Sequence, residues 1–442
     1  MLHLCYIYIY SFRILKNVGL SFDPRFTFKK EGNTLRIQRN EVLPEGFWGA
    51  GIHSLTAIVG SNGSGKSSAL CFLMEALIDG AGRRQVDAIM VYEQKGTLYI
   101  YQPAGIPPLG IETDLPWTKS VIRKLPTFHY MGHFAPYDRM DNLPNSELAG
   151  SYNASDGWLL VRDFQDYANV DTMHLTESIY NHLSAYNAQN NYRICELLMQ
   201  PELNGMLTDF RWPKYVIVAP NISGLRAIQH DVFGQMKALN IPAEKNIQGT
   251  LRDQTVNHFI YHNLLNLIAE NKGDKQELVD MLTGWQNVAD RSDAFRTFES
   301  YVKGLNLSEI TTQLMHSLLY VLDKLFSICD FDELTGIFYI QTDKGTEQLR
   351  ALNTEIFRSQ FFLTARFFDV YYSHQLNDTT YLSSGELEML NLLSRIYYGI
   401  VLRPQKFTNL DTPTLLLLDE AEIGFHPAWQ RQYVNILTRS EE

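Results

Sequence analysis

The sequence predicts an α/β protein with a parallel sheet, and three features indicate this fold class. A short apolar segment, 55–59, is typical of a buried strand and is followed by a glycine-rich loop and a helix-like run, 68–77. A second apolar run, 414–418, closes on two carboxylates and is typical of a parallel strand covered on both faces. Between them, from about residue 160 to about residue 330, the hydrophobic pattern becomes helical. We therefore expect an α/β head interrupted by a large helical insertion.

The glycine-rich loop, residues 60–67, matches G-x-x-x-x-G-K-[ST], the phosphate-binding P-loop. Its glycines let backbone N–H groups turn toward phosphate oxygens, and the positive end of the following helix favours an anion. A Gly/Ser-rich turn that merely carries a lysine is the alternative, which the flanking strand and helix disfavour. The motif therefore predicts binding of ATP or another nucleoside triphosphate.

Two side chains of this loop have defined expected roles. Lys66 would reach the β- and γ-phosphates, and the hydroxyl of Ser67 would ligate Mg²⁺. The full set of expected nucleotide contacts in this segment is Asn62, Gly63, Ser64, Gly65, Lys66, Ser67 and Ser68.

The second apolar run ends in Asp419 and Glu420. At the carboxyl end of a strand beside the P-loop, Asp419 would hold Mg²⁺ through water or through Ser67. Glu420 would be the catalytic base, because it is placed to polarise the water that attacks the γ-phosphate. An apolar strand that ends in Asp-Glu is a weak signal by itself, and it gains weight from the other motifs.

A third motif, Leu-Ser-Ser-Gly-Glu at 382–386, precedes a helix-like run. It resembles the signature motif of ABC-type ATPases, written LSGGQ or LSSGE. Hydroxyls and N–H groups at a helix N-terminus form an anion site suited to a γ-phosphate, so the expected contacts are Ser383, Ser384, Gly385 and Glu386. An ordinary N-cap remains the alternative, because serine followed by glutamate three residues later is also a capping box. In such ATPases each signature motif completes the site of the opposite subunit, so the resemblance implies a homodimer with ATP between two heads.

The segment 419–430 resembles one class of ABC-type ATPases more than the others. It is similar to the DE-x-E-x-G-L-H-P-x-W-Q stretch of OLD-family and related RecF- and SMC-like ATPases, whereas ABC transporters tend to carry a Ser-Ala-Leu-Asp type D-loop there. By this resemblance His426 lies in the D-loop and is a candidate nucleotide contact. The opening of the chain resembles the first strand of these heads, with an aromatic and basic pair at Phe12 and Arg13. In relatives that basic residue lies near the phosphates, so Arg13 is a further candidate, with an exposed strand-end charge as the equal alternative.

Two departures from the family pattern concern turnover. Residues 128–134 take the place of the Q-loop strand without a convincing glutamine. Heads of this family also carry a further strand with a switch histidine after the D-loop, and the sequence ends at Glu442 without room for it. We expect the sequence to be either a fragment of a longer protein or a head that lacks this histidine. In both cases the given chain should bind ATP and hydrolyse it slowly.

The resemblance implies three regions. Residues 1–140 would form the N-terminal part of the ATPase head with the P-loop, residues 141–375 a mostly helical insertion, and residues 376–442 the part of the head with the signature motif, the Asp-Glu pair and the D-loop. Relatives serve in DNA repair and bacterial anti-phage defence, often coupled to a nuclease. The implied function is the sensor or motor subunit of such a system, in which ATP-driven head dimerisation controls a nuclease or another effector. A regulatory scaffold without efficient turnover is the alternative, and a transporter subunit fits the D-loop poorly.

Composition restricts the partners and the location. The hydrophobic content is 45% and the aromatic content 12%, so a disordered chain is not expected. The net charge of −11 does not favour a free-standing nucleic-acid binder, which leaves DNA as a possible partner without support from charge. No uncharged run approaches ~18 residues, so we expect no membrane partner and a cytoplasmic location.

The cysteines and histidines do not indicate a metal centre. The four cysteines lack C-x-x-C spacing, which argues against a zinc site and a disulfide framework. The pairs His129 with His133 and His258 with His262 have helix-like spacing but lack the adjacent glutamate of H-E-x-x-H. Satisfied or solvated histidines are the preferred interpretation.

Overall fold

The computed structural model describes a large part of the chain in two compact units. Contacts divide it into residues 1–159 with 395–442, called unit 1, and residues 160–394, called unit 2. The described residues are 2–40, 54–61, 63–78, 87–123, 125, 127–131, 151–156, 159–160, 163, 179–200, 210–229, 239–270, 274–358, 367–376, 381–402, 414–419, 421, 425, 427 and 430.

Strands and helices are numbered in chain order. The described strands are β1 (Leu2–Phe12), β2 (Leu15–Ser21), β3 (Phe26–Glu31), β4 (Thr34–Arg39), β5 (Ala88–Gln94), β6 (Thr97–Tyr101), β7 (Gly110–Glu112), β8 (Trp117–Lys119), β9 (Thr127–Met131), β10 (Ser151–Asn153), β11 (Tyr215–Pro220), β12 (Asp330–Asp332), β13 (Ile337–Gln341), β14 (Phe368–Ser373) and β15 (Leu415–Asp419). The described α-helices are α1 (Lys66–Ile78), α2 (Ile179–Leu198), α3 (Ser223–Gln229), α4 (Leu251–Ala269), α5 (Lys275–Gln286), α6 (Ala294–Lys303), α7 (Glu309–Ile328), α8 (Thr346–Ala351) and α9 (Ser384–Tyr397). Two of the helices continue as π-helical turns, α8 into Leu352–Phe357 and α9 into Tyr398–Leu402.

A five-stranded sheet forms the centre of unit 1, in the order β2-β1-β5-β6-β8. Strands β1 and β5 are apolar along most of their length because both of their faces are covered. One face packs on α1, in a core that contains Ile7, Met90 and Phe72. The other face packs on the small sheet β3-β4-β7, in a core that contains Tyr6 and Ile37. Helix α1, which follows the P-loop, is therefore anchored on the central sheet.

A second described sheet of unit 1 is parallel and has the order β10-β9-β15. Strand β15 confirms the strand predicted from the 414–418 run, and its Asp419 lies opposite Met131 of β9. The same helix α1 contacts β9 and β15, and Leu417 belongs to the α1 core. Asp419 therefore stands at the carboxyl end of a strand that packs on the P-loop helix.

The sequence-based prediction of a buried strand at 55–59 is wrong for this structure. Residues 54–61 form no strand, and the side chain of Val59 is 89% exposed. Only Ile58 of this segment packs partly against the α1 core. A strand needs a neighbour for its N–H and C=O groups, and among the described residues none pairs with this segment. Because residues 55–59 do not pair with β15, β15 is the end strand of its described sheet. The sequence had indicated a strand covered on both faces, as in the centre of a parallel sheet.

Unit 2 contains helices together with a sheet that the sequence did not indicate. The helical pattern predicted between about residue 160 and about residue 330 is confirmed in α4 and α7, which begin at the N-caps Thr250 and Ser308. The additional element is an antiparallel sheet in the order β12-β13-β11-β14. Its strands are short, between 3 and 6 residues, which explains why the surrounding helical pattern obscured them.

Among the described residues, none of the helices combines the length and the apolar character that crossing a bilayer requires.

Candidate nucleotide-binding site

The P-loop turns at two glycines before α1 begins. Gly63 has φ +78° and Gly65 has φ +102°, values that side chains other than glycine rarely adopt. The N–H of Ser64 donates to the carbonyl of Ser61 at 3.1 Å, and the N–H of Ala69 donates to the carbonyl of Gly65 at 2.9 Å. The second of these bonds joins the loop directly to the first turn of α1. The N–H groups of this first turn have no intrahelical acceptor, which favours an anion there.

Lys66 is the first residue of α1 and its side chain folds back over the loop. Its Nζ donates to the carbonyl oxygens of Gly60 at 2.9 Å and Ser61 at 3.2 Å. The ammonium group has three donors, so it can bind a phosphate oxygen while it keeps a bond to the loop. The structure thus places the predicted phosphate-binding charge at the loop.

Ser67 and Ser68, which follow on α1, are half-buried. Asn62 lies outside the described residues.

The turn between β1 and β2 lies against the P-loop. A Cβ atom built on Gly65 would lie 2.7 Å from Cδ2 of Leu15 and 3.1 Å from Cγ1 of Ile14. Arg13, in the same turn, has φ +52° and its NH2 lies 3.6 Å from Oε1 of Glu75 on α1. The structure therefore brings Arg13 to the P-loop helix, where an ion pair with Glu75 orients the guanidinium.

We expect substitution of Gly65 by alanine to damage the site more than substitution of Gly63. Both have positive φ, which costs a side chain about 1–3 kcal/mol, but only Gly65 has Leu15 and Ile14 in contact range. A Cβ on Gly63 would meet none of the described residues within 4 Å. Thermal unfolding and ATP affinity of Gly65→Ala and Gly63→Ala check this expectation. Equal losses of stability and ATP affinity in the two variants would show that contact between the β1–β2 turn and the P-loop does not matter.

Arg13 and Asp419 both influence Cys71, a buried residue of α1. Burial is the main cause that raises the pKa of the Cys71 thiol; Arg13 acts to lower it, and Asp419 contributes to raising it. Cys71 lies one helical turn after Ser67 on the same face of α1. The predicted Mg²⁺ ligand Ser67 thus lies on the helix that packs against β15, the strand that ends in Asp419.

The two other predicted residues of this region, Glu420 and His426, lie outside the described residues.

The signature-like segment caps α9 in unit 2. The N–H and Oγ of Ser383 each donate to Oε2 of Glu386 at 2.8 Å, and the N–H of Glu386 donates to Oγ of Ser383 at 3.3 Å. This is the capping box that the sequence left open as an alternative. Ser383 and Ser384 are exposed at the helix N-terminus, whereas Gly385 is buried. Capping employs the side chains of Ser383 and Glu386 and leaves the Ser384 hydroxyl on the surface.

Glu386 has a second partner that the sequence did not reveal. Oε1 of Glu386 lies 3.0 Å from Nε2 of His374, which follows β14. Burial would raise the pKa of Glu386, but hydrogen bonds from His374 and Ser383 outweigh it and hold that pKa below its ordinary value. No local sequence pattern indicates this role of His374, because its contact with Glu386 depends on how the end of β14 packs beside α9.

Sequence reasoning also missed Glu75 as the partner of Arg13. It lies in the third turn of α1 and belongs to no motif, so only the packing of the β1–β2 turn on α1 reveals its role.

Comparison with family models, with curated proteins and with solved structures finds no match to this chain. The functional assignment therefore depends on the motifs and on the geometry around α1.

Proposed function

We propose that this protein is an ATP-binding, ABC-type ATPase head of the OLD/RecF/SMC-like class. The observation that carries the proposal is the arrangement around α1. A loop with two positive-φ glycines leads into the helix, Lys66 lies over the loop, and Asp419 ends a parallel strand packed on the same helix. A phosphate chain is the ligand that this combination of N–H groups and an ammonium favours.

The residues present fit a magnesium–triphosphate ligand. Among the described residues, a Cβ on Gly63 would meet nothing within 4 Å, which leaves room for a ligand at this point of the loop. Ser67 and Asp419 offer the hydroxyl and carboxylate oxygens that Mg²⁺ prefers. When bound there, Mg²⁺ would neutralise charge that develops on the phosphates during transfer. Lys66 would orient the β- and γ-phosphates, and Glu420 would accept a proton from the attacking water.

The exposed N-terminus of α9 supports the second part of the proposal, a head-to-head dimer. Ser384 is exposed where the helix presents its first N–H groups, and the capping box at Ser383 fixes the residue at which α9 begins. In the proposed dimer these groups would bind the γ-phosphate presented by the partner copy. The association would then depend on nucleotide, because the partner copy presents a γ-phosphate only when it has bound ATP.

We expect Mg²⁺ and a non-hydrolysable ATP analogue to convert the chain from monomer to dimer in sedimentation experiments. Ser384→Ala should weaken this association without unfolding α9, since the Ser384 hydroxyl takes no part in the capping box. A chain that binds the analogue and stays monomeric would refute the signature function and leave the P-loop assignment intact.

The proposed biological role is the sensor or motor subunit of a bacterial defence or DNA-repair complex. Head closure would control a partner effector such as a nuclease. Copurification with the wild-type chain tests this coupling. We expect a nuclease subunit to copurify with the wild type. We expect that subunit to be lost, or its activity to change, when Lys66→Ala removes ATP binding. An effector whose activity is unchanged by ATP and by this substitution would contradict the proposed coupling.

A further inference from the structure

A cluster of two histidines and a glutamate lies in unit 2 and includes none of the residues assigned to nucleotide binding. His258 and His262 are one turn apart on α4, with ring centroids 4.2 Å from each other. Glu244 comes from the segment that precedes this helix, and its Oε2 lies 2.9 Å from Nδ1 of His258. One ligand atom from each of the three residues lies within 4.8 Å of the others. Spacing along α4 and the path of the chain before it thus bring three metal-ligating groups together.

A buried nitrogen in the cluster has no hydrogen-bond partner. His262 is 2% exposed, and its Nδ1 has no acceptor or donor among the described residues. Leaving such a polar atom buried and unsatisfied costs about 1–3 kcal/mol. Neutral imidazole is a common metal ligand, and a bound cation gives a ring nitrogen the partner that the protein does not supply.

The glutamate of the cluster is held in place by a buried network. Nδ2 of Asn257 donates to Oε1 of Glu244 at 3.2 Å. The Oδ1 of Asn257 in turn accepts from Nε1 of Trp285 at 3.1 Å and from NH1 of Arg291 at 3.0 Å. Support of this kind behind a carboxylate is typical of metal sites, because it fixes the direction of the ligand.

We propose that Glu244, His258 and His262 bind a divalent transition cation of the zinc class. Two imidazoles and one carboxylate suit zinc, cobalt or nickel, whereas Mg²⁺ prefers oxygen ligands in octahedral geometry. Zinc bonds of about 2.1 Å in tetrahedral geometry place ligand atoms roughly 3.4 Å apart, and the three ligand atoms of the cluster already lie within 4.8 Å of one another.

Three protein ligands leave a further position for water on the side of His258, whose side chain is 43% exposed. The cation would also tie the segment that carries Glu244 to α4.

Cobalt titration of the full chain, purified without a histidine tag and without nucleotide, tests this site. Co²⁺ is a spectroscopic substitute for Zn²⁺, and nitrogen and oxygen ligands in four- or five-fold coordination give it visible absorption. We expect one saturable equivalent per chain, displaced by Zn²⁺, and a melting temperature that rises with Zn²⁺. The same titration with Mg²⁺ should leave the cobalt spectrum unchanged.

Three variants locate the cation. His258→Gln and His262→Ala should each weaken Co²⁺ binding on the order of 100-fold or more, since each removes a ligand. His316→Ala, at an exposed histidine of α7, should bind as the wild type does. His258→Gln alters a partly exposed side chain, so it answers the question even if His262→Ala fails to fold. Absence of saturable binding, or equal binding by wild type and folded His258→Gln, would overturn the proposal.

Discussion

Lys66→Ala should abolish tight ATP binding. The ammonium of Lys66 lies over the loop, 2.9 Å from the carbonyl oxygen of Gly60, and the backbone N–H groups cannot replace its charge between two phosphates. A charge-assisted hydrogen bond contributes about 1.5–3 kcal/mol. Loss of two such bonds corresponds to an affinity loss on the order of 100-fold or more. Equilibrium dialysis with radiolabelled ATP and Mg²⁺ measures the change.

The control for Lys66→Ala is Lys29→Ala. Lys29 is an exposed lysine of β3, and its Nζ pairs with Glu31 at 2.8 Å. This control removes the same charge from unit 1 and should leave ATP affinity unchanged. Unchanged affinity in folded Lys66→Ala would refute the P-loop assignment.

Glu420→Gln should preserve ATP binding and slow hydrolysis. The amide keeps the shape of the side chain but cannot accept the proton of the attacking water, and a general base contributes about 10²- to 10⁴-fold to rate. Steady-state phosphate release, measured beside ATP affinity, separates the two effects.

Glu112→Gln is the matched control, because Glu112 is an exposed carboxylate on β7 that pairs with Arg36. Hydrolysis by Glu420→Gln at the wild-type rate would place the base elsewhere. If the wild-type chain binds ATP and releases no phosphate, the protein is the nucleotide-binding scaffold and not the motor.

Elements with strong local signals could be predicted from the sequence. The apolar runs of β5 and β15, the alternating pattern of β6, and helices α1, α4 and α7 all have the type that their residues indicate. In each case the hydrophobic period agrees with the tertiary environment, so the local preference and the packing lead to the same structure.

Features that depend on pairing between distant segments could not be predicted. Residues 55–59 have the composition of a strand, but no described strand pairs with them. His129 has helix-like spacing from His133, yet it lies on β9, where parallel pairing with β10 and β15 sets its conformation. The sheet of unit 2 was not predicted because its strands are short and because β11 pairs with β13 and β14, which are far from it along the chain.

The candidate site could be predicted from the sequence only in part, for the same reason. The P-loop glycines, Lys66 and Asp419 form motifs, whereas Glu75 became a partner of Arg13 only through the packing of the β1–β2 turn on α1. His258 and His262 were recognised as a pair with helical spacing, but Glu244 was missed. It lies on the segment before α4, and only the fold brings it to them.

Calorimetric titration of the unmodified chain with ATP in the presence of Mg²⁺ tests the central claim most directly. The structure around α1 predicts saturable binding of one ATP per chain, weakened when Mg²⁺ is chelated because the ligands Ser67 and Asp419 then lose the ion that joins them to the phosphates. AMP should bind far more weakly, since Lys66 contacts the β- and γ-phosphates in the proposed complex. Absence of saturable ATP binding by the folded chain, or equal affinity for AMP and ATP, would contradict the account.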